Sequence, residues 1–167
     1  MNENFSRFYL SEKVVGKLQN QLCLQNQLEK GQTGQDILEF SEEVMSQFYK
    51  SAYELFENKD YEESCDAFLF LILLNPNKYE YWLGFGMGTQ MCHHYEAAID
   101  AYEMAALIDI ASPVPYFYLA KCLFAIHDRE SALQALNLAI ETAGDQEEFQ
   151  DLKHQANLAK NILLRTM

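Results

Sequence analysis

YEYWLGFGMGTQMCHHYEAAIDAYEMAALIDIAS, residues 79–112, sets an aromatic ring at Trp82, small residues at Gly86, Ala98 and Ala101, and further rings at Tyr95 and Tyr102. A shift of 34 residues in either direction lands on the same residue types. Trp82 falls between Phe48 and Tyr116, and Gly86 between Ala52 and Ala120. Ala98 has Ser64 and Ala132 as counterparts, Ala101 has Ala67 and Ala135, and Tyr102 has Phe68 and Leu136. Tyr95 matches Tyr61, with Arg129 as the odd member of its column. Six columns in register over three copies make an internal repeat, and its period is that of a helical hairpin array.

The columns have a mechanical reading. A large residue early in each first helix fills the space between neighbouring hairpins, while one small residue on each helix lets the two backbones approach where they cross. Turn signals fall where this scheme needs them: Asn58-Lys59-Asp60, Cys92-His93-His94 and His127-Asp128 within hairpins, and Asn75-Pro76-Asn77 between the first two. Ser112-Pro113 opens the third, with serine as a helix cap and proline at the first helical position. The pattern resembles the tetratricopeptide repeat, best in the second copy through Trp82, Gly86, Ala98, Tyr102 and Ala105, less in the first, which has Ser51, Ser64 and Leu71. We therefore expect an all-α fold: three tandem repeats at 45–78, 79–112 and 113–146 within a 41–146 array, an α-solenoid built of hairpins.

Both ends differ from the array. Residues 147–167 read as an amphipathic helix, with Phe149, Leu152, Ala156, Ile162 and Leu163 at helical spacing, whose expected task is to cap the last apolar face. Residues 1–40 read as a helical arm and linker. Val14, Leu18 and Leu22 form one stripe, with Val15, Leu24 and Leu28 beside or beyond it, before a loose Gly31-Gln32-Thr33-Gly34. That stripe must bury itself, and pairing with a second copy of the arm is expected ahead of packing back on the first repeat.

Composition narrows the function classes. The net charge of −13 is concentrated in residues 41–144, which hold 16 acidic and 5 basic residues, a surface that repels phosphate backbones and argues against nucleic acid as partner. The longest strongly apolar run, Ala67 to Leu74, is far short of the roughly 20 residues of a spanning helix. Met1 to Phe5 lack the basic start and apolar core of a secretion signal, so a cytoplasmic protein with no membrane insertion is expected. Cys23, Cys65, Cys92 and Cys122 form no CxxC pair and read as reduced thiols. His93, His94, His127 and His154 show no metal-ligand spacing, and Gly84-Phe85-Gly86-Met87-Gly88 lacks the spacing of a phosphate loop. No nucleophile–base pairing is present, so neither enzyme activity, a metal nor a cofactor is expected.

The first helices of such an array line a concave surface. The second, fifth, ninth and twelfth positions of each repeat face it: Ser46, Tyr49, Tyr53 and Phe56, then Glu80, Leu83, Met87 and Gln90, then Val114, Phe117, Lys121 and Phe124. Of these, Tyr49, Tyr53, Phe56, Leu83, Met87, Phe117, Lys121 and Phe124 are expected to form a peptide-binding groove. Most are apolar where solvent-facing positions are ordinarily polar, so the trough is expected to be covered by a partner or by the chain's own arm. Lys121 stands almost alone as a cation, too little for a clamp on an acidic C-terminus.

Tyr81-Trp82-Leu83-Gly84-Phe85-Gly86, Tyr95-Glu96-Ala97-Ala98-Ile99, Ala106-Leu107-Ile108-Asp109-Ile110, Pro113, Ala120 and Cys122 resemble the class II chaperones of bacterial type III secretion. The resemblance runs from Thr33 to the C-terminal helix and leaves the first 30 or so residues without a counterpart. It implies a cytoplasmic chaperone that keeps hydrophobic translocator proteins soluble, holds an extended segment with spaced apolar and proline anchors, and forms a homodimer through its arm when client-free. Tyr49, Tyr53 and Phe56 stand where the family places groove aromatics, Phe56 without the hydroxyl often found there, and Leu83 matches a family leucine. Lys121 stands where relatives carry an acid, so contacts at that position are not transferred. The alternative function is a scaffold or regulatory adaptor holding another protein, such as a secretion gatekeeper. If the arm pairs two chains, deleting residues 1–30 lowers the association state while the repeats stay folded; an unchanged mass in sedimentation would rule pairing out.

Overall fold

The computed structural model describes residues 11–166, so the Met1 to Phe5 segment lies outside the described residues. Ten α-helices and no strand occur among them. Three short helices come first: α1 (Glu12–Gln19), α2 (Gln21–Glu29) and α3 (Gly34–Leu38). Three hairpins follow, α4 (Glu42–Glu57) with α5 (Tyr61–Leu74), α6 (Tyr79–Met91) with α7 (Tyr95–Ile108), and α8 (Val114–Ala125) with α9 (Arg129–Ala143). Helix α10 (Gln150–Thr166) closes the series. From α4 onward each helix packs chiefly on its neighbours in the chain, as in a solenoid.

The small-residue columns mark the helix crossings. Ala52 and Ser64 are fully buried, and the Ser64 hydroxyl donates to the Ala52 carbonyl at 3.0 Å, so the two columns touch in the first hairpin. Helix α6 is squeezed from both sides. A Cβ on Gly84 would lie 2.3 Å from the Phe68 ring and one on Gly88 2.7 Å from Cys65 Sγ, both on α5. On Gly86 it would lie 2.7 Å from the Tyr102 ring on α7. Three glycines each cost a helix about 1 kcal/mol of propensity; here every one admits a side chain from an adjacent helix. Tyr102, wholly buried, donates its hydroxyl to Gln90 Oε1 at 2.7 Å.

One turn geometry recurs in all three hairpins. Lys59, His93 and His127, 34 residues apart, have φ of 68°, 63° and 67°. Around Lys59, the amides of Lys59 and Asp60 donate to Phe56 and Leu55; around His93, those of His93 and His94 donate to Gln90 and Thr89. Around His127, those of His127 and Asp128 donate to Phe124 and Leu123. This is the Schellman ending, which glycine usually supplies. Between hairpins the Trp82 indole donates to the Pro76 carbonyl at 2.7 Å. Ser112 accepts from the Val114 amide and bonds the Tyr79 hydroxyl at 3.0 Å, but α8 begins at Val114, one residue later than expected, with Pro113 in the N-cap position.

The N-terminal segment departs from expectation. The stripe through Val14, Leu18 and Leu22 is not one helix, because Asn20 ends α1 and caps α2 by accepting the Cys23 amide. Val14 is buried inside its own chain, while Leu18 and Leu22 stay exposed. Helix α1 lies on α3, with Lys13 and Lys17 at 2.8 and 2.7 Å from Glu39. Hydrogen bonds from Lys13 and then Lys17 hold the Glu39 carboxyl down to about 2. Since the folded value is depressed, that contribution exists above the ordinary carboxylate range and is lost as pH falls through about 2. Nor is the linker loose. Thr33 and Asp36 form a reciprocal capping box that starts α3, and a Cβ on Gly34 would sit 3.0 Å from the Leu73 carbonyl. Buried Gln35 accepts from Asn75 at 2.8 Å and donates to Glu42 at 2.9 Å, tying α3 to the first hairpin.

Two stability outcomes follow from these contacts. Gly86→Leu drives a large side chain into Tyr102, and calorimetry is expected to show a loss of at least the roughly 1–3 kcal/mol of ordinary overpacking. Lys59→Gly removes a left-handed strain of about 1–2 kcal/mol against a glycine entropy cost of about 0.4–1 kcal/mol. Its melting temperature is expected to equal or exceed the parent's, and that of Lys59→Val to fall below it.

Candidate functional site

The inner faces of α4, α6 and α8 form a trough with two cavities. Tyr49, Tyr53 and Phe56 of α4 meet Leu83 and Met87 of α6 around a space of about 190 Å³. Gly84 makes room for Phe68 to form its floor. Tyr49 stacks on Tyr53 with ring centroids 6.5 Å apart, and meets Phe68 at 6.0 Å and Tyr81 at 5.9 Å. Burial, with the Glu80 charge behind it, raises the Tyr49 phenol above its ordinary pKa, so it stays a neutral hydrogen-bonding group. Tyr53 is 45% exposed and its ring is open to a partner. Phe56 leans on Tyr61 at 5.4 Å.

The second cavity, about 410 Å³, lies between α8 and α10. Phe117, Lys121 and Phe124 supply one wall, Gln155, Leu158 and Ile162 the other. Phe117 is only 6% exposed and belongs to the core cluster as well as to the cavity wall, whereas Phe124 is half exposed. The Lys121 ammonium sits 4.4 Å from the Phe117 ring centroid and 4.8 Å from that of Tyr118. Leu83 and Met87 also pack on this C-terminal core, so α6 joins the two cavities into one surface.

Helix α10 does more than the capping expected of it. Ala156 and Leu163 are buried against the array, yet Leu158 and Ile162, 50% and 61% exposed, turn toward the trough. A signal for part of this exists in the sequence: the 34-residue shift carries Lys121 to Gln155 and Phe124 to Leu158. Gln90, an inward position by register, instead holds the Tyr102 hydroxyl.

Burial pushes the Cys65 thiol up to about 12 and the Cys122 thiol up to about 11, which suppresses the reactive thiolate. Among the described residues no group of three His, Cys, Asp or Glu gathers as a metal site, and no helix is long and apolar enough to cross a membrane.

Known proteins resemble the chain in sequence and in fold. No family model matches the chain. Low calcium response locus protein H of Yersinia pestis is 28% identical over 143 residues, 86% of this chain and 85% of the relative. The Yersinia enterocolitica type III secretion chaperone SycD, solved with a peptide of the translocator YopD, is 27% identical with a TM-score of 0.74, covering 77% of this chain and 99% of that one. The chain is thus similar, in sequence and in fold, to translocator chaperones of type III secretion. A CopN–Scc3 complex also contains a similar chain, 28% identical with a TM-score of 0.74 over 77% of this chain and 75% of that one.

Core and trough roles separate by substitution. Phe117→Ala is expected to cost about 3–5 kcal/mol of stability in chemical denaturation, as for a buried phenylalanine. Phe124→Ala, whose ring is half in solvent, is expected to cost about 1 kcal/mol or less. Equal losses at the two positions would mean that Phe124 is core.

Proposed function

We propose that the chain is a cytoplasmic chaperone of bacterial type III secretion that acts by binding alone. Its trough holds an extended segment of a hydrophobic translocator protein and keeps that protein soluble and unassembled until secretion. The observation that carries this reading is the continuous apolar surface of Tyr53, Leu83, Phe124, Leu158 and Ile162 on the inner side of the array, a position where solvated helices carry polar residues. The relative SycD has been solved with a translocator peptide, which supports the same use of the fold here. Tyr49, Tyr53, Phe56, Leu83 and Met87 are the proposed first set of anchor pockets, with Phe117, Lys121 and Phe124 in the second. Chemistry on the client, a metal and a cofactor have no part in this mechanism.

Without a client the chain is proposed to pair with a second copy. Leu18 and Leu22, still exposed on α1 and α2, are the residues left for that contact, since Val14 is already buried. A second reading is a regulatory adaptor that presents another secretion protein, such as a gatekeeper; the CopN–Scc3 complex among the similar structures favours it.

Burying one large apolar side chain is worth roughly 1.5–3 kcal/mol, and each 1.4 kcal/mol is about a tenfold change in affinity. Tyr53→Ala combined with Leu83→Ala is therefore expected to weaken client binding on the order of a hundredfold per folded molecule, with a lowered melting temperature because Leu83 also packs on the C-terminal core. Co-purification from the source bacterium, with mass spectrometry of the bound protein, supplies the client for calorimetric titration. A double variant that binds normally would overturn the trough assignment, and a bound client without translocator-like hydrophobic segments would favour the adaptor reading.

A further inference from the structure

The two cavities differ in charge. Glu80 lines the α4–α6 cavity, whereas the α8–α10 cavity has Lys121 as its one charged wall residue and Gln155 as its other polar one. Lys121, like Lys59, forms no salt bridge among the described residues, but unlike Lys59 it lines an apolar cavity. Lys50 pairs with Glu54 and Lys78 with Glu42, but among the described residues no carboxylate pairs with Lys121, and none lines its cavity. Its neighbours are the faces of Phe117 and Tyr118, which attract a cation without neutralising it. Burial also lowers its pKa, the mark of an ammonium that has lost part of its hydration. A chain with net charge −13 thus keeps one cation uncompensated at the edge of an apolar hole.

We propose that the α8–α10 cavity takes an apolar client side chain lying next to an aspartate or glutamate, whose carboxylate pairs with Lys121. This rests on the reading of the trough as the client site and adds a charge rule to it. A space of about 410 Å³ accommodates a leucine, methionine or phenylalanine side chain against Phe124, Leu158 and Ile162. The carboxylate then meets a partly desolvated ammonium, where a charge-assisted hydrogen bond is stronger than in water. Glu80 repels the same carboxylate from the α4–α6 cavity, so the position of the acid decides which way the segment lies along the trough.

The probe is a phage-displayed library of random nine-residue peptides selected on the full-length protein. One selected sequence is then synthesised with a fluorophore, in its acidic form and with Asp or Glu replaced by Asn or Gln. Selected peptides are expected to carry an acid within two positions of Leu, Ile, Met or Phe. In anisotropy titrations the acidic form is expected to bind on the order of tenfold tighter than the amide form, and added salt to narrow the gap. Lys121→Met should remove the difference and Lys121→Glu reverse it, with affinities compared per folded molecule because the side chain packs on the Phe117 and Tyr118 rings. If selected peptides lose affinity in Tyr53→Ala or Phe124→Ala but show no acid preference, or keep it in Lys121→Met, the charge rule fails and the trough stands. If no peptide binds, or binding ignores substitutions in both cavities, the trough reading fails and the charge rule with it.

Discussion

The close approach of α6 to the helices on either side of it is the constraint on which the array depends. Phe68 and Cys65 press against Gly84 and Gly88 from α5, while Tyr102 presses against Gly86 from α7. Any side chain at these three positions would push a neighbour outward, and since each helix is located chiefly by its neighbours, the displacement would pass along the stack. The same glycines shape the trough. Phe68 reaches the floor of the α4–α6 cavity only because Gly84 has no Cβ, and Leu83 and Met87 flank that gap on the inner face. Core packing and binding surface are thus two sides of one helix.

The proposed binding surface is chemically uneven along its length. At the α4 end, aromatic rings contact one another edge-on and stacked, with tyrosine hydroxyls kept protonated by burial and by nearby carboxylates. At the α10 end the lining is mostly aliphatic and phenylalanine, with a single ammonium. Apolar burial supplies affinity at both ends without regard to direction. Polar groups set the register, because a misplaced charge in such a site costs more than a misplaced methyl group.

Much of this could be read in the residues themselves. Helix crossings need small residues at fixed intervals, so Ala52, Gly86 and Ala120 declared the array, and the inward register that follows from it selected Tyr49, Tyr53, Phe56, Leu83 and Met87, which meet in one cavity. What escaped was local. Asn20 sits inside an unbroken apolar period, and only its side-chain hydrogen bond to Cys23 shows that it ends one helix and begins another. Thr33 and Asp36 looked like loop residues because a capping box of a five-residue helix carries no apolar periodicity. Phe117 faces the trough by register, yet a residue can point inward and still be covered by its neighbours. Helix α10 was assigned one face because the small-residue columns stop matching after Gly144, although Gln155 and Leu158 continue the inward positions.

That second face of α10 makes the end of the chain sensitive to what lies in the trough. Helix α10 packs chiefly on α9, with a smaller contact to α8, and its docking is a local step that opens without unfolding the other hairpins. An occupant bridging Phe124 on α8 and Leu158 and Ile162 on α10 binds only the docked form, and linkage requires that it stabilise docking in proportion to its affinity. Occupancy is thereby converted into order at Gln150–Thr166, a segment on the surface of the molecule. Loaded and empty molecules then differ in how firmly they present their last helix, a difference that other proteins could sense without touching the client.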